Sequence, residues 1–186
     1  VSSKILLRTK MRAVRRRLAA EQPDAAARLD ANLPRDGLPS VTAYSLYHPM
    51  GAELDPSGVR LGDAAVALPV AIARDAPLVF RLRRDGELMV TDAFGIPGPS
   101  AKAPEVDPDV VFTPVLAFDR RGGRLGQGAG CYDRTIEALR RRKPVFVVGV
   151  AYAGQELPEV PMEPHDQRLD AILTETDFIV VGKEGR

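Results

Sequence analysis

Arg121-Gly122-Gly123-Arg124-Leu125-Gly126-Gln127-Gly128-Ala129-Gly130-Cys131-Tyr132-Asp133-Arg134 follows the apolar run Val110–Leu116 and leads into a helical pattern over 132–142. Strand, glycine-rich loop and helix in that order are the repeating unit of an α/β sheet. Five glycines lie between residues 122 and 130. Glycine tolerates positive φ and has no side chain, so alternate glycines let backbone N–H groups converge on one anion. A plain surface loop is the competing use of such glycines. The context favours a phosphate cradle, because its end coincides with a helix N-terminus, where anions are stabilised. Arg124 and Arg134 add positive charge, and Asp133 offers a hard oxygen ligand for Mg²⁺. The common nucleotide motifs do not fit. No Gly-Lys-Ser or Gly-Lys-Thr occurs, and Gly126, Gly128 and Gly130 are spaced G-x-G-x-G with Cys131 where a dinucleotide fingerprint needs its last glycine.

Outward from the loop, the 145–151 stretch (V-F-V-V-G-V-A) is continuously apolar, as in a strand covered on both faces. Residues 41–47 (V-T-A-Y-S-L-Y) alternate and are β-branched or aromatic, which predicts a strand. Further strands are expected over 65–72, 78–82, 88–90, 171–174 and 178–181. Helices are expected over 3–20, 24–33 and 132–142, the second opened by Pro23 and closed by Pro34. The segment 94–108 carries four prolines and two glycines and reads as a long loop over the substrate site. The 157–164 stretch is a second proline-rich loop. The pattern predicts an α/β fold, a single three-layer α/β/α domain over 1–186 with a mostly parallel central sheet.

Composition narrows the function. A net charge of +1 argues against a nucleic-acid or membrane partner held by bulk electrostatics. Cys131 is the only cysteine, so no intramolecular disulfide can form and a reducing, cytoplasmic setting is expected. No apolar stretch approaches the roughly 20 residues of a membrane span, and 1–20 lacks the apolar centre of a signal peptide. In the first helix Leu7, Met11, Val14 and Leu18 mark a buried face, and Lys4, Arg8 and Arg15 form an adjoining stripe. Such a stripe is more often a solvated basic face. Lys10, Arg12, Arg16 and Arg17 read as surface.

The run Arg124-Leu125-Gly126-Gln127-Gly128-Ala129-Gly130-Cys131-Tyr132-Asp133-Arg134 resembles the signature of the 5-formyltetrahydrofolate cyclo-ligase (5,10-methenyltetrahydrofolate synthetase) family. The resemblance extends over essentially the whole chain, through the N-terminal Lys/Arg helix, Glu53-Leu54-Asp55 and His165-Asp166. Departures fall at Cys131, where the family has an aromatic residue, at Ala129, where it has Gly or Lys, and at Gly98, where it has an acid. The resemblance implies ATP and Mg²⁺ as cofactors and 5-formyltetrahydrofolate as substrate. It assigns ATP contacts to Lys4, Arg8, Arg124, Gly126, Gln127, Gly128, Ala129, Gly130, Cys131, Tyr132, Asp133 and Arg134. Catalysis falls to Lys4, Arg124 and Asp133, and Mg²⁺ to Asp133 with Asp170, Asp166 being the alternative. Substrate contacts fall to Glu53, with His48 and Tyr132 beside it. A carboxylate suits that place because a reduced pterin shows paired N–H donors. A helix N-terminal thiol at Cys131 is expected to have a lowered pKa, although the chemistry needs no nucleophile. A monomer is expected. Two rival readings are an ATP-dependent ligase or kinase acting on another small molecule, and a nucleic-acid-binding module using the basic helix.

Overall fold

A computed structural model of the chain describes residues 3–34 and 36–182. The ends of the expected 1–186 unit, residues 1–2 and 183–186, lie outside them. The chain opens with α1 (Ser3–Glu21). A 3-10 turn, Ala25–Arg28, and the single turn α2 (Leu29–Asn32) come next. Strands β1 (Ala43–Ser45), β2 (Ala65–Val70), β3 (Val79–Leu82), β4 (Val90–Thr91), β5 (Pro97–Gly98), β6 (Val110–Pro114), β7 (Ala117–Phe118) and β8 (Arg124–Leu125) precede α3 (Cys131–Arg142). The strands β9 (Phe146–Val150), β10 (Ala171–Leu173) and β11 (Phe178–Val180) complete the described fold.

Seven strands form the central sheet in the order β11-β10-β9-β6-β1-β2-β3. The inner five are parallel, and β3 and β11 close the edges antiparallel. Alternation along the strands divides the core between two faces. Tyr44, Leu68, Phe112, Val148 and Leu173 pack with Leu18 of α1 and Leu29 of α2. Ala67, Val111, Val147 and Ile172 face the other way, against Ile136 and Leu139 of α3. The result is an α/β/α layering with a mostly parallel sheet, as the sequence pattern predicts.

Three local expectations differ from the structure. The helix expected over 24–33 is broken in two: Asp24 makes no side-chain cap, and Asp30 and Asn32 turn their side chains to Arg60 N–H and the Thr174 carbonyl. The 94–108 segment is partly regular, since β5 pairs with β4. Pro97 is tolerated there because a two-stranded ribbon leaves one side of each strand unpaired. A Cβ at Gly98 would lie 3.2 Å from Val70 Cγ2, so the glycine lets the ribbon close onto β2. Finally, Gly122 and Gly123 belong to the β7–β8 hairpin and not to an anion cradle. Asp119, nearly fully buried, accepts N–H bonds from Arg121, Gly123 and Val160, and a Cβ at Gly123 would sit 2.4 Å from its Oδ2.

Candidate active site

The chain leaves β1 toward β2 on one side of the sheet and leaves β6 toward β9 on the other. The loops beyond the carboxyl ends of these two neighbours therefore diverge and leave a crevice, the usual ligand position in an open α/β sheet. A cavity of about 460 Å³ occupies this place. From the end of β1 come Tyr47, His48, Met50 and Glu53, and from the end of β6 comes Pro114. The loop from Gly126 to Gly130 and the first turn of α3 form one wall, with Lys4 and Arg8 of α1 beside them. Glu163, His165 and Asp166 line one side, and Asp92, Phe94 and Ile96 another.

The glycine loop owes its shape to backbone that only glycine adopts readily. Gly128 has φ +108° and Gly130, the residue before α3, has φ +68°. A Cβ at Gly128 would lie 3.3 Å from the Arg8 guanidinium carbon, and Arg8 Nε donates to the Gly126 carbonyl at 3.0 Å. Arg12 clasps the loop from outside, its Nε donating to Gln127 Oε1 at 3.1 Å. Arg12 is exposed, as the sequence pattern has it, and the i, i+4 step from Arg8 explains why it also reaches the same loop.

Charge is concentrated at two points. Lys4 Nζ lies 2.7 Å from Asp166 Oδ2 and 3.2 Å from Glu163 Oε2. Burial works to lower the Lys4 pKa, but bonding to these carboxylates raises it overall. Burial pushes the Asp166 carboxyl up, and Lys4 and the Glu163 N–H more than offset it, leaving it below the ordinary range. Glu163, His165 and Asp166 hold potential metal-ligand atoms within 4.8 Å of one another. At the second point, buried Arg124 donates from Nη2 to Asp133 Oδ1 at 2.5 Å and from Nε to the Gln167 carbonyl at 3.0 Å. Asp133 Oδ1 also accepts the Gln167 N–H at 2.8 Å, which ties α3 to the 163–167 loop.

The residues singled out from sequence divide accordingly. Lys4, Arg8, His48, Glu53, Arg124, Gly126, Gln127, Gly128, Ala129, Gly130, Cys131, Tyr132, Asp133 and Asp166 line the cavity together. Arg134 and Asp170 do not. Arg134 Nη2 bonds the Ala129 carbonyl at 2.9 Å and the Arg74 carbonyl at 3.3 Å, bracing the loop from behind. Asp170 Oδ2 accepts the Val147 N–H at 2.8 Å and Arg140 Nη2 at 3.1 Å, an anchor between β9 and α3. The Cys131 thiol is not lowered as its helix position predicts: burial pushes it up, and Arg134 only partly offsets this. Sequence reasoning missed the contribution of Asp92. Its Oδ1 accepts the N–H groups of Phe94 and Ile96 and its Oδ2 that of Ala71. An aspartate opening a turn before Phe-Gly was the available signal.

Residues 1–175 match a family model described as the 5-formyltetrahydrofolate cyclo-ligase family. A 5-formyltetrahydrofolate cyclo-ligase of Mycolicibacterium smegmatis is 38% identical over 149 residues, covering 72% of this chain and 74% of that protein. One from Haemophilus influenzae is 40% identical over 89 residues, covering 46% of this chain and 47% of its own length. Among solved structures, the 5,10-methenyltetrahydrofolate synthetase of Aquifex aeolicus superposes with a TM-score of 0.80 at 28% identity, covering 100% of this chain and 95% of that one.

Proposed function

Because the chain belongs to the 5-formyltetrahydrofolate cyclo-ligase family, we propose that it converts 5-formyltetrahydrofolate to 5,10-methenyltetrahydrofolate at the expense of ATP. The observation that carries the reading is the junction, in one cavity, of a glycine loop flanked by Lys4 and Arg8 with a buried carboxylate, Glu53. The first suits a polyphosphate and the second a pterin, so two ligands can meet between them. ATP supplies the activation that a formamide lacks: phosphoryl transfer to the formyl oxygen makes the carbon electrophilic, N10 attacks it, and phosphate departs.

The protein's own share is positioning and charge. N–H groups of the Gly126–Gly130 loop and the start of α3 bind phosphate oxygens, and Lys4 and Arg8 neutralise them. Arg124, fixed by Asp133 and the Gln167 carbonyl, keeps its charge at the head of α3. Glu53 accepts the pterin N–H pair, and Phe94 and Ile96 exclude water from the ring. Mg²⁺ fits the donors present, because Asp133 and Asp166 are hard carboxylate oxygens on the cavity wall, and it would offset phosphate charge there. Asp166 replaces Asp170 as the partner of Asp133 in this reading, since Asp166 lies on the cavity wall with Asp133 and Asp170 does not. The enzyme is read as a monomeric cytoplasmic domain, with no nucleic-acid partner.

The test is absorbance of the methenyl product with ATP and Mg²⁺ present or omitted. Product is expected only with both, and formation without ATP refutes the reading. Glu53→Gln is expected to weaken 5-formyltetrahydrofolate binding at least about tenfold while changing ATP binding little, because a donor then faces donors.

A further inference from the structure

Arg15 belongs to the same stripe of α1 as Lys4 and Arg8, yet nothing in the proposed chemistry uses it. It is 7% exposed, a rare setting for an arginine, and its Nε has no hydrogen-bond partner among the described residues. Desolvating a guanidinium with an unmet N–H opposes folding, and an apolar side chain would serve the core better. What the arginine has instead is Glu53. Its Nη1 lies 3.7 Å from Glu53 Oε1, with both side chains 9% exposed, while Glu53 Oε2 accepts the Met50 N–H at 2.9 Å. Glu53 lines the cavity and Arg15 stands behind it.

We infer that Arg15 is a positioning residue for substrate recognition: its buried charge holds Glu53 as a carboxylate turned into the cavity, where both oxygens act as acceptors. The inference rests on the reading in which Glu53 takes the pterin N–H pair. The groups around Glu53 show why a cation is needed. Tyr47 faces it from the end of β1 and Tyr132 from α3, both pushed up by burial and therefore neutral. Gln127 reaches it from the glycine loop and the Met50 N–H from its own loop, Asp55 acts on Tyr47, and Arg12 lies beyond Arg15. Burial pushes the Glu53 carboxyl above its ordinary range, and the Met50 N–H, the Arg15 charge and Gln127 pull it back. Among these groups Arg15 carries the charge of opposite sign at contact range. Take it away, and burial favours a proton on Glu53, which turns one acceptor into a donor.

That protonation gives the pH effect its sign. Ionised Glu53 binds, so affinity is present above its pKa and lost as pH falls through it. Loss of Arg15 raises that pKa and moves the fall in affinity to higher pH.

The experiment compares Arg15→Met and Arg15→Lys with the parent protein by two readouts. Carbon-13 NMR of the glutamate carboxyls, without ligands, tracks Glu53, with Glu53→Gln assigning its resonance. Its midpoint is expected to move to higher pH in Arg15→Met and to return in Arg15→Lys; an unmoved midpoint overturns the inference. Kinetics across roughly pH 6 to 9 are expected to show the KM for 5-formyltetrahydrofolate raised about tenfold at neutral pH in Arg15→Met. The defect is expected to shrink as pH rises, with the KM for ATP changed less than about twofold. In a Glu53→Gln background, Arg15→Met is expected to add nothing, and an additive loss there overturns a role through Glu53. A normal folate affinity in Glu53→Gln itself removes Glu53 from the substrate site, and the recognition role of Arg15 with it. The NMR midpoint separately decides whether Arg15 sets the Glu53 charge. Should Arg15→Met fold poorly, Arg15→Gln, which removes the charge but keeps a polar side chain, is read by the same two measurements and is expected to move the midpoint and the folate KM in the same directions.

Discussion

Asp133 carries two burdens at once, since its Oδ1 holds Arg124 and the Gln167 N–H while its carboxylate is the proposed cation ligand. Asparagine keeps an acceptor for Gln167 but removes the counter-charge of a guanidinium whose side chain is 4% exposed. Breaking a buried pair in this way is expected to cost about 3–5 kcal/mol, visible as a lower melting temperature in Asp133→Asn. The folded fraction is also expected to need about tenfold more Mg²⁺ for half-maximal turnover, with partial rescue by Mn²⁺. A destabilised variant with an unaltered Mg²⁺ requirement would leave Asp133 as an anchor for Arg124 only. At this scale the sequence was informative where chemistry was local. A carboxylate in the first turn after a glycine loop can be read without a fold, and so can Glu53 once the family resemblance is in hand. Arg15 and Asp170 could not be read. The buried face of α1 is legible from spacing, but the partner that Arg15 meets there, Glu53, and the bond from Asp170 to Val147 N–H are tertiary contacts that spacing does not encode.

Among the elements, the loop from Gly126 to Gly130 depends most on sequence. Gly128→Ala asks a side chain to accept φ +108° and to press on Arg8. The expected result is a loop pushed away from α1 and a KM for ATP raised about tenfold, with the folate KM nearly unchanged; separate substrate titrations measure it. A different joint holds the sheet to its flanking segments. Asp109, just before β6, accepts Lys143 Nζ with one oxygen and the Thr42 N–H, the Thr42 hydroxyl and the Ala43 N–H with the other. Burial pushes this carboxyl up, but Lys143 and the Thr42 and Ala43 donors prevail and hold it far below the usual aspartate range. A depressed folded pKa means that the stabilisation is present above the unfolded aspartate pKa of about 3.9 and is lost as pH falls through the folded value. Asp109→Asn is expected to cost about 1–3 kcal/mol at neutral pH and to make urea stability less steep below about pH 4. Denaturation curves at several pH values check both. Strand and helix positions were largely legible, because periodicity is local. The β4–β5 ribbon was not: Pro97 and Gly98 look like loop residues until Val70 is known to lie against them.

For the molecule as a whole, the alternation of strand, loop and helix in the sequence was enough for the layering, and the apolar runs over 110–116 and 145–151 for two strands inside the sheet. The strand order, with the chain diverging between β1 and β6, came only with the structure, yet it is what fixes where the cavity lies. Across that cavity α1 touches both proposed ligand regions, with Lys4 and Arg8 at the phosphate end and Arg15 at Glu53. Arg15 stands eleven residues after Lys4, which on a helix rising about 1.5 Å per residue is a separation of roughly 16 Å. The helix is therefore a ruler with a phase: its pitch sets the register between nucleotide and folate. One alanine inserted between Thr9 and Lys10 would turn the residues before it by about 100° relative to those after it. Met11, Arg15 and Leu18 are buried and would keep their seats, so the first two turns would rotate away from the glycine loop. Isothermal titrations of each ligand are expected to show ATP binding weakened at least about tenfold and folate binding intact. Substitutions along the exposed face of α1 leave that phase untouched, whereas any change in its length between Arg8 and Met11 shifts one ligand's contacts against the other's.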